Sequence, residues 1–279
     1  MEPASAALLT GGGALIGFLL SVLGAGGSIL LLPLLVSGAA LPTREAVPLS
    51  LLVVMLLALA NLGPYVRRGQ FAPGPALILG VPALAGSWIG GSWVKAGHIP
   101  EPVQLTLFAL AALLASWLLN RRQAGNGQAK SAQASGQPLL LALQGVLVGL
   151  LTGIAGVGGG FAIVPALVLL AGLPMALASG TSLLLIAVNA LVALVALGHW
   201  PATSLPLMAP LLGGGAIGGL LGQRLAPHLN DRRLRQGFSL LLIGSALLSG
   251  MEAWRRHLAS TPSNSAIPST SLPLTSRHG

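Results

Sequence analysis

Apolar residues run in long unbroken stretches separated by short polar gaps. Charge-free stretches cover residues 3–43, 46–66, 69–94, 102–120, 131–223 and 236–251. The long central one is punctuated at Ala171-Gly172-Leu173-Pro174 and at Gly198-His199-Trp200-Pro201, where Gly and Pro interrupt regular structure. Division there gives about eight hydrophobic segments: 8–37, 46–63, 73–94, 102–119, 138–171, 175–198, 204–224 and 235–253. Crossing a bilayer takes roughly 20 helical residues. These segments are apolar on every face and do not alternate, so they predict membrane helices and not barrel strands. The last segment is short, but Arg235 and Arg255 can snorkel at its ends. Residues 120–137 read as a polar linker, and 259–279, rich in Ser, Thr and Pro, as a disordered tail.

Composition narrows the class. Only 7% of residues are charged, against roughly 25% in a soluble domain, and 54% are hydrophobic. There is too little polar surface to cover a soluble fold of this size. The 39 glycines keep no three-residue period, which excludes collagen. The net charge of +9 falls in gaps between segments and not along a stripe, which argues against nucleic acid and for an anionic membrane face. The lipid bilayer is the expected partner; oligomeric state cannot be read. No cysteine is present, so thiol chemistry is excluded. Met1-Glu2-Pro3 lacks the basic start of a signal peptide, so the first apolar run is expected to be retained.

The chain matches itself at an offset of 132 residues without a gap. Gly17, Gly24, Gly26, Gly27, Pro33 and Pro42 fall on Gly149, Gly156, Gly158, Gly159, Pro165 and Pro174. Ala46, Ser50, Gly86 and Gly90 fall on Ala178, Ser182, Gly218 and Gly222. Leucine matches are common in such a sequence, but a register of Gly and Pro indicates duplication, as in many secondary transporters. The expected units are a first membrane repeat over 8–119 and a second over 138–255.

Each repeat opens on an oversized segment with glycines in its middle, Gly24-Ala25-Gly26-Gly27 and Gly156-Val157-Gly158-Gly159-Gly160. Clustered glycine destabilises a helix interior by about 1 kcal/mol per residue, so a break is expected there. The segment is either one tilted, broken helix or a re-entrant pair of half-helices. Full crossing of all eight segments places Arg67, Arg68, Arg121, Arg122, Lys130, Arg255, Arg256 and Arg277 on one side against six other basic residues. Re-entry leaves three crossings per repeat and inverts the repeats. Arg67, Arg68, Arg121, Arg122, Lys130, Arg224, Arg232, Arg233 and Arg235 then share a side against five, an asymmetry that favours re-entry.

A helix starting inside the membrane presents unpaired N–H groups and the positive end of its dipole. Glycine admits an anion to that backbone. Two such starts meeting near the midplane would form a desolvated anion site. The candidate substrate-binding residues are Gly26, Gly27, Ser28 and Ser50 in the first half, with Gly158, Gly159, Gly160, Thr181, Ser182 and Asn189 in the second. Plainer roles compete. Gly86, Gly90, Gly214, Gly218 and Gly222 have small-xxx-small spacing, which serves helix packing. Hydroxyls in membrane helices often bond the preceding turn's carbonyl. Asn61 and Asn189 do not coincide at the offset, and His199 beside Trp200 reads as an interfacial anchor. Glu2, Glu45, Glu101, Asp231 and Glu252 all lie in loops or at segment ends, which disfavours cation pumping. No HExxH or clustered ligand set appears, so neither an enzyme nor a metal or other cofactor is indicated.

The stretch GLLTGIAGVGGGFAIVPALVLLAGLPMALASGTSLL (149–184), with a fainter copy at 17–52, resembles the sulfite exporter TauE/SafE family of bacterial permeases. The resemblance covers about residues 8–255. The first copy departs from the second, with Ser28 for the third glycine and Pro48-Leu49-Ser50 for Gly-Thr-Ser. The resemblance implies a multi-pass inner-membrane carrier of small anions such as sulfite or sulfonates. The expectation is therefore an all-α duplicated permease for a small inorganic or organic anion, working by alternating access. An anion channel and a non-transporting membrane scaffold are the alternatives.

Overall fold

The computed structural model describes residues 3–260 except 101–102, 105, 108, 111–112, 115, 118–137, 156–159, 170 and 202–204. The linker expected from sequence lies outside the described residues, as does the expected tail apart from Ala259 and Ser260, which end the last helix. Among the described residues every regular element is helical. They are α1 (Pro3–Leu23), α2 (Gly26–Pro33), α3 (Thr43–Arg67), α4 (Pro73–Lys95), α5 (Pro138–Ala155), α6 (Gly160–Leu169), α7 (Met175–Leu197), α8 (Met208–Leu225) and α9 (Asp231–Ser260). Described residues between 103 and 117 are helical as well, and Ser116 Oγ meets Ser239 Oγ of α9 at 2.7 Å. Five helices are long and apolar enough to cross a membrane: Ala6–Leu23, Thr43–Arg67, Pro73–Lys95, Met175–Leu197 and Leu205–His228.

The oversized first segment breaks where its glycines cluster. Gly24 adopts φ +76°, a left-handed conformation that side chains disfavour, and α1 stops there. The chain then turns back on itself. Gly27 of α2 lies against the Ile16 carbonyl, Leu34 against Gly12 and Gly38 against Leu8, so the 26–38 arm is antiparallel to α1. This hairpin is unequal. At 1.5 Å per residue α1 is about 31 Å long, enough to cross by itself, and only the return arm is short. The segment expected as one tilted, broken helix or a re-entrant pair of half-helices thus forms a long helix with a shorter antiparallel return.

Pro33 ends α2, and residues 34–38 widen into a π-helical turn, as a missing N–H encourages. The chain closes with Leu41 N–H donating to Leu35 O at 3.0 Å; 132 residues on, Leu173 N–H donates to Leu167 O at 3.1 Å. Gly172 occupies the left-handed region at φ +67°, and Ala40, at the equivalent place, is held there at φ +52°.

Helix pairing is set by backbone contact. Gly13 and Gly17 of α1 lie beneath the carbonyls of Leu211 and Gly215, while Gly214 and Gly218 of α8 lie beneath those of Thr10 and Ala14. Gly145 and Gly149 of α5 face Leu79 and Ala83 of α4, and Gly86 and Gly90 face Val146 and Leu150. The contacts of Gly13, Gly17 and Gly218 recur 132 residues away at Gly145, Gly149 and Gly86, and that of Gly90 with Leu150 matches Gly222 against Phe18. Both pairs, α1 with α8 and α4 with α5, run parallel. The sequence reading of Gly86, Gly90, Gly214 and Gly218 as packing glycines agrees with these contacts. At the centre α3 and α7 pack antiparallel: Gly180 meets Tyr65 near one end and His199 meets Glu45 near the other.

A side chain at Gly149 would collide with the Ala83 backbone, which cannot yield as a flexible side chain can. Gly149→Val is expected to destabilise by about 1–3 kcal/mol. Gly63→Ala, at an exposed site with open space around it, should be neutral or slightly stabilising. Thermal unfolding of the purified variants in detergent separates the two.

Candidate functional site

The break in the first half is held by the second. When α1 ends inside an apolar protein, its last carbonyls need donors. Ser179 Oγ donates to Leu23 O at 3.0 Å, and Ser182 Oγ lies 3.1 Å from Gly24 O and 2.8 Å from Ser179 O. Gly180 between them permits close approach of the Gln70 carbonyl. Thr181 Oγ1 donates to Leu177 O at 2.7 Å and accepts the Ala72 N–H, at the start of α4, at 3.0 Å. The Ser-Gly-Thr-Ser run therefore fastens α7 to the α1 break and to the α3–α4 turn. Tyr65 adds to the same end, its hydroxyl donating to Ser21 O at 2.6 Å.

The other candidates divide. Gly26 begins α2, Gly27 is buried and Ser28 lies within that helix. Ser50 Oγ donates to Val47 O at 2.8 Å. Gly160 begins α6, while Gly158 and Gly159 lie outside the described residues. Asn189 is buried in α7, and among the described residues neither its Nδ2 nor its Oδ1 has a hydrogen-bond partner. Asn61 differs: its Nδ2 donates to Leu57 O at 2.8 Å and its Oδ1 accepts from Gln223 Nε2 at 3.0 Å.

The ends of α1 and α5 do not lie together. Gly24 sits against Ser179, in the first turns of α7. Ile154, next to the end of α5, approaches Gly90 in the last turns of α4. Helices α4 and α7 run parallel, with Gly80 against Leu185 and Gly91 against Ala196. The ends of α1 and α5 are thus separated by roughly 20 Å along the bundle, at 1.5 Å per residue. Antiparallel packing of α3 and α7 explains the difference: equivalent residues lie toward opposite ends. What does lie between is α2 against α6, the two returning arms in contact.

Each end of the bundle carries a cavity. One, of about 380 Å³, lies among the start of α3, the end of α4 and the residues after α7; Arg44, Lys95, Gln104, Leu197 and His199 are in its wall. Gly198, left-handed at φ +61°, ends α7 and leaves room for the Lys95 ammonium. The other, of about 20 Å³, includes Tyr65, Arg68, Ala176, Ala226 and Pro227. At the offset of 132, Ala176 stands for Arg44, Ala226 for Val94 and Pro227 for Lys95, while Leu197 stands for Tyr65. The two cavities are counterparts of very different size.

Sequence reasoning missed Arg44, Lys95 and Ser179. It entered the two cations only as loop charge, although their positions one residue inside α3 and at the end of α4 follow from the segment boundaries. His199, expected as an interfacial anchor, also has a side-chain partner: its Nε2 lies 2.9 Å from Glu45 Oε1, because α3 begins where α7 ends.

A buried amide without partners costs about 1–3 kcal/mol, so Asn189→Leu is expected to raise thermal stability. Asn61→Leu, which removes a satisfied amide and strands Gln223, should lower it. Melting curves of the two variants against wild type test this contrast.

A family model described as sulfite exporter TauE/SafE matches residues 9–248. Two curated proteins named "Probable membrane transporter protein", from Xylella fastidiosa strain Temecula1 / ATCC 700964 and strain 9a5c, are 32% and 31% identical over 253 residues. Each alignment covers 88% of this chain and 94% of the relative. No solved structure matches the chain. The names point to a transporter and not an enzyme, and with the apolar spans they make this a multi-pass membrane protein suited to a bacterial inner membrane. The chain belongs to the sulfite exporter TauE/SafE family.

Proposed function

We propose that this protein is a secondary transporter for a small anion, sulfite, a sulfonate or a related sulfur-containing oxyanion, working by alternating access between two inverted repeats. The observation that carries this reading is the inequality of the two counterpart cavities, about 380 Å³ and about 20 Å³. A further cavity of about 370 Å³ beside the smaller one is walled mostly by apolar residues of α1 and α9 and has no part in this comparison. An inverted duplication can exchange the two conformations of its halves, so that the wide mouth closes as the narrow one opens. A channel would hold both mouths open together. The recurrence of glycine contacts at an offset of 132 supports the duplicated architecture.

The anion is handed along the returning arms. Backbone N–H groups of Gly26, Gly27 and Ser28 meet it on α2, and those of Gly158, Gly159 and Gly160 at the start of α6. The unpartnered amide of Asn189 is a further polar contact within the bundle. Ser50, Thr181 and Ser182 turn from their present carbonyl partners as the arms move. Sidedness follows from charge. Arg68 and Arg233 lie at the narrow end, with Arg67 next to Arg68 and Arg224 next to Gln223, whose carbonyl accepts from Arg68, whereas Arg44 and Lys95 lie at the wide one. The narrow end accordingly faces the cytoplasm.

Purified protein in sealed proteoliposomes should take up labelled sulfite saturably, and internal unlabelled sulfite should accelerate entry by counterflow. Gly159→Leu should abolish both while leaving the protein folded. Equal flux in that variant removes the glycine arms from the path. Flux that neither saturates nor shows counterflow favours a channel.

A further inference from the structure

The wide cavity differs from its counterpart in chemistry as well as size. Arg44 and Lys95 arrive from two different helices, α3 and α4, and both side chains are exposed to the cavity mouth. At the narrow end their places are taken by Ala176 and Pro227. The packing of α3, α4 and α7 therefore does not itself call for cations at these positions. The nearest acid in sequence, Glu45, is absent from the cavity wall, and its Oε1 is engaged by His199 Nε2 at 2.9 Å. Among the described residues neither Arg44 nor Lys95 forms an ion pair with a carboxylate. Gln104 in the wall is buried, with its Nε2 donating to Ile99 O at 3.1 Å, so it fixes the floor.

We propose that Arg44 and Lys95 form a loading site for a small oxyanion at the wide mouth, which captures the substrate before it reaches the glycine arms. This rests on the transport reading above. A planar guanidinium can donate two parallel hydrogen bonds to a sulfite or sulfonate group, and the ammonium supplies a compact second charge. A cavity of about 380 Å³ admits such an anion with several waters or a short organic chain. The asymmetry gives the carrier a preferred end for capture. At the Ala176 and Pro227 end no equivalent pair stands at these positions; the cation in that wall, Arg68, donates to Gln223 O at 3.3 Å.

The same pair of cations suits a lipid phosphate, so the assay begins in vesicles of neutral lipid alone and is repeated with anionic phosphatidylglycerol. In neutral vesicles the double variant Arg44→Gln, Lys95→Gln should raise KM for labelled sulfite at least about tenfold, the effect of losing even one of the two charge-assisted contacts. Maximal velocity should change by less than about twofold. Arg44→Lys should recover part of the loss, and Gly63→Ala, at an exposed position in neither cavity wall, should leave KM unchanged. An unchanged KM in the double variant overturns the loading site while leaving the transport reading intact. A wild type whose KM is met only with phosphatidylglycerol present also overturns it, in favour of a lipid site. Equilibrium binding of labelled sulfite to protein in neutral nanodiscs covers the remaining case. If wild type shows no flux but binds sulfite and the double variant does not, transport fails and the site stands. If wild type does not bind, the site falls.

Discussion

Backbone-to-backbone contact between helices of opposite halves is the constraint on which the rest of the structure depends. In lipid, helices gain little from hiding apolar side chains from one another, so close approach and dispersion hold them. Here each half lends its opening helix to the other: α1 packs on α8, and α5 on α4. Glycines on both members of each pair remove the Cβ atoms that would hold the backbones apart. Neither half has a complete set of helix contacts by itself. The two pairs form stiff flanks, and α3 and α7 lie between them.

That arrangement leaves the ends of α1 and α5 as the places where backbone polarity is exposed. At the first break the α1 carbonyls are satisfied by Ser179 and Ser182 of α7. These bonds join the two halves and depend on a helix face, not on an irreversible interlock. Because hydroxyls can change carbonyl partners at small cost, the break is a suitable point of movement between rigid flanks. The wide cavity and its narrow counterpart lie at the two ends of the same central pair, where such movement has most effect.

Much of this was legible in the chain. The segment boundaries, the break at Gly24 and the packing role of Gly86 and Gly218 follow from apolar run length, glycine clustering and small-residue spacing. Three things were not. An offset states which residues match, but the antiparallel packing of α3 and α7 sends matching residues to opposite ends, so the ends of α1 and α5 lie apart and not together. The hydroxyls of Ser50, Thr181 and Ser182 read equally as ligands or as partners of carbonyls, and only the neighbouring backbone separates these roles. Arg44 and Lys95 are far apart in sequence, and nothing in their local pattern indicates that helix ends bring them to one cavity.

The absence of cysteine in this chain permits the most direct test. Single cysteines at Val94, in the wide mouth, and at its counterpart Ala226, in the narrow one, can be reacted with a membrane-impermeant maleimide applied from either side, with and without sulfite. Alternating mouths require that, without sulfite, Val94→Cys reacts and Ala226→Cys is protected, and that sulfite slows the first while accelerating the second. Equal reaction at both positions, unaffected by sulfite, would contradict two mouths that open in turn.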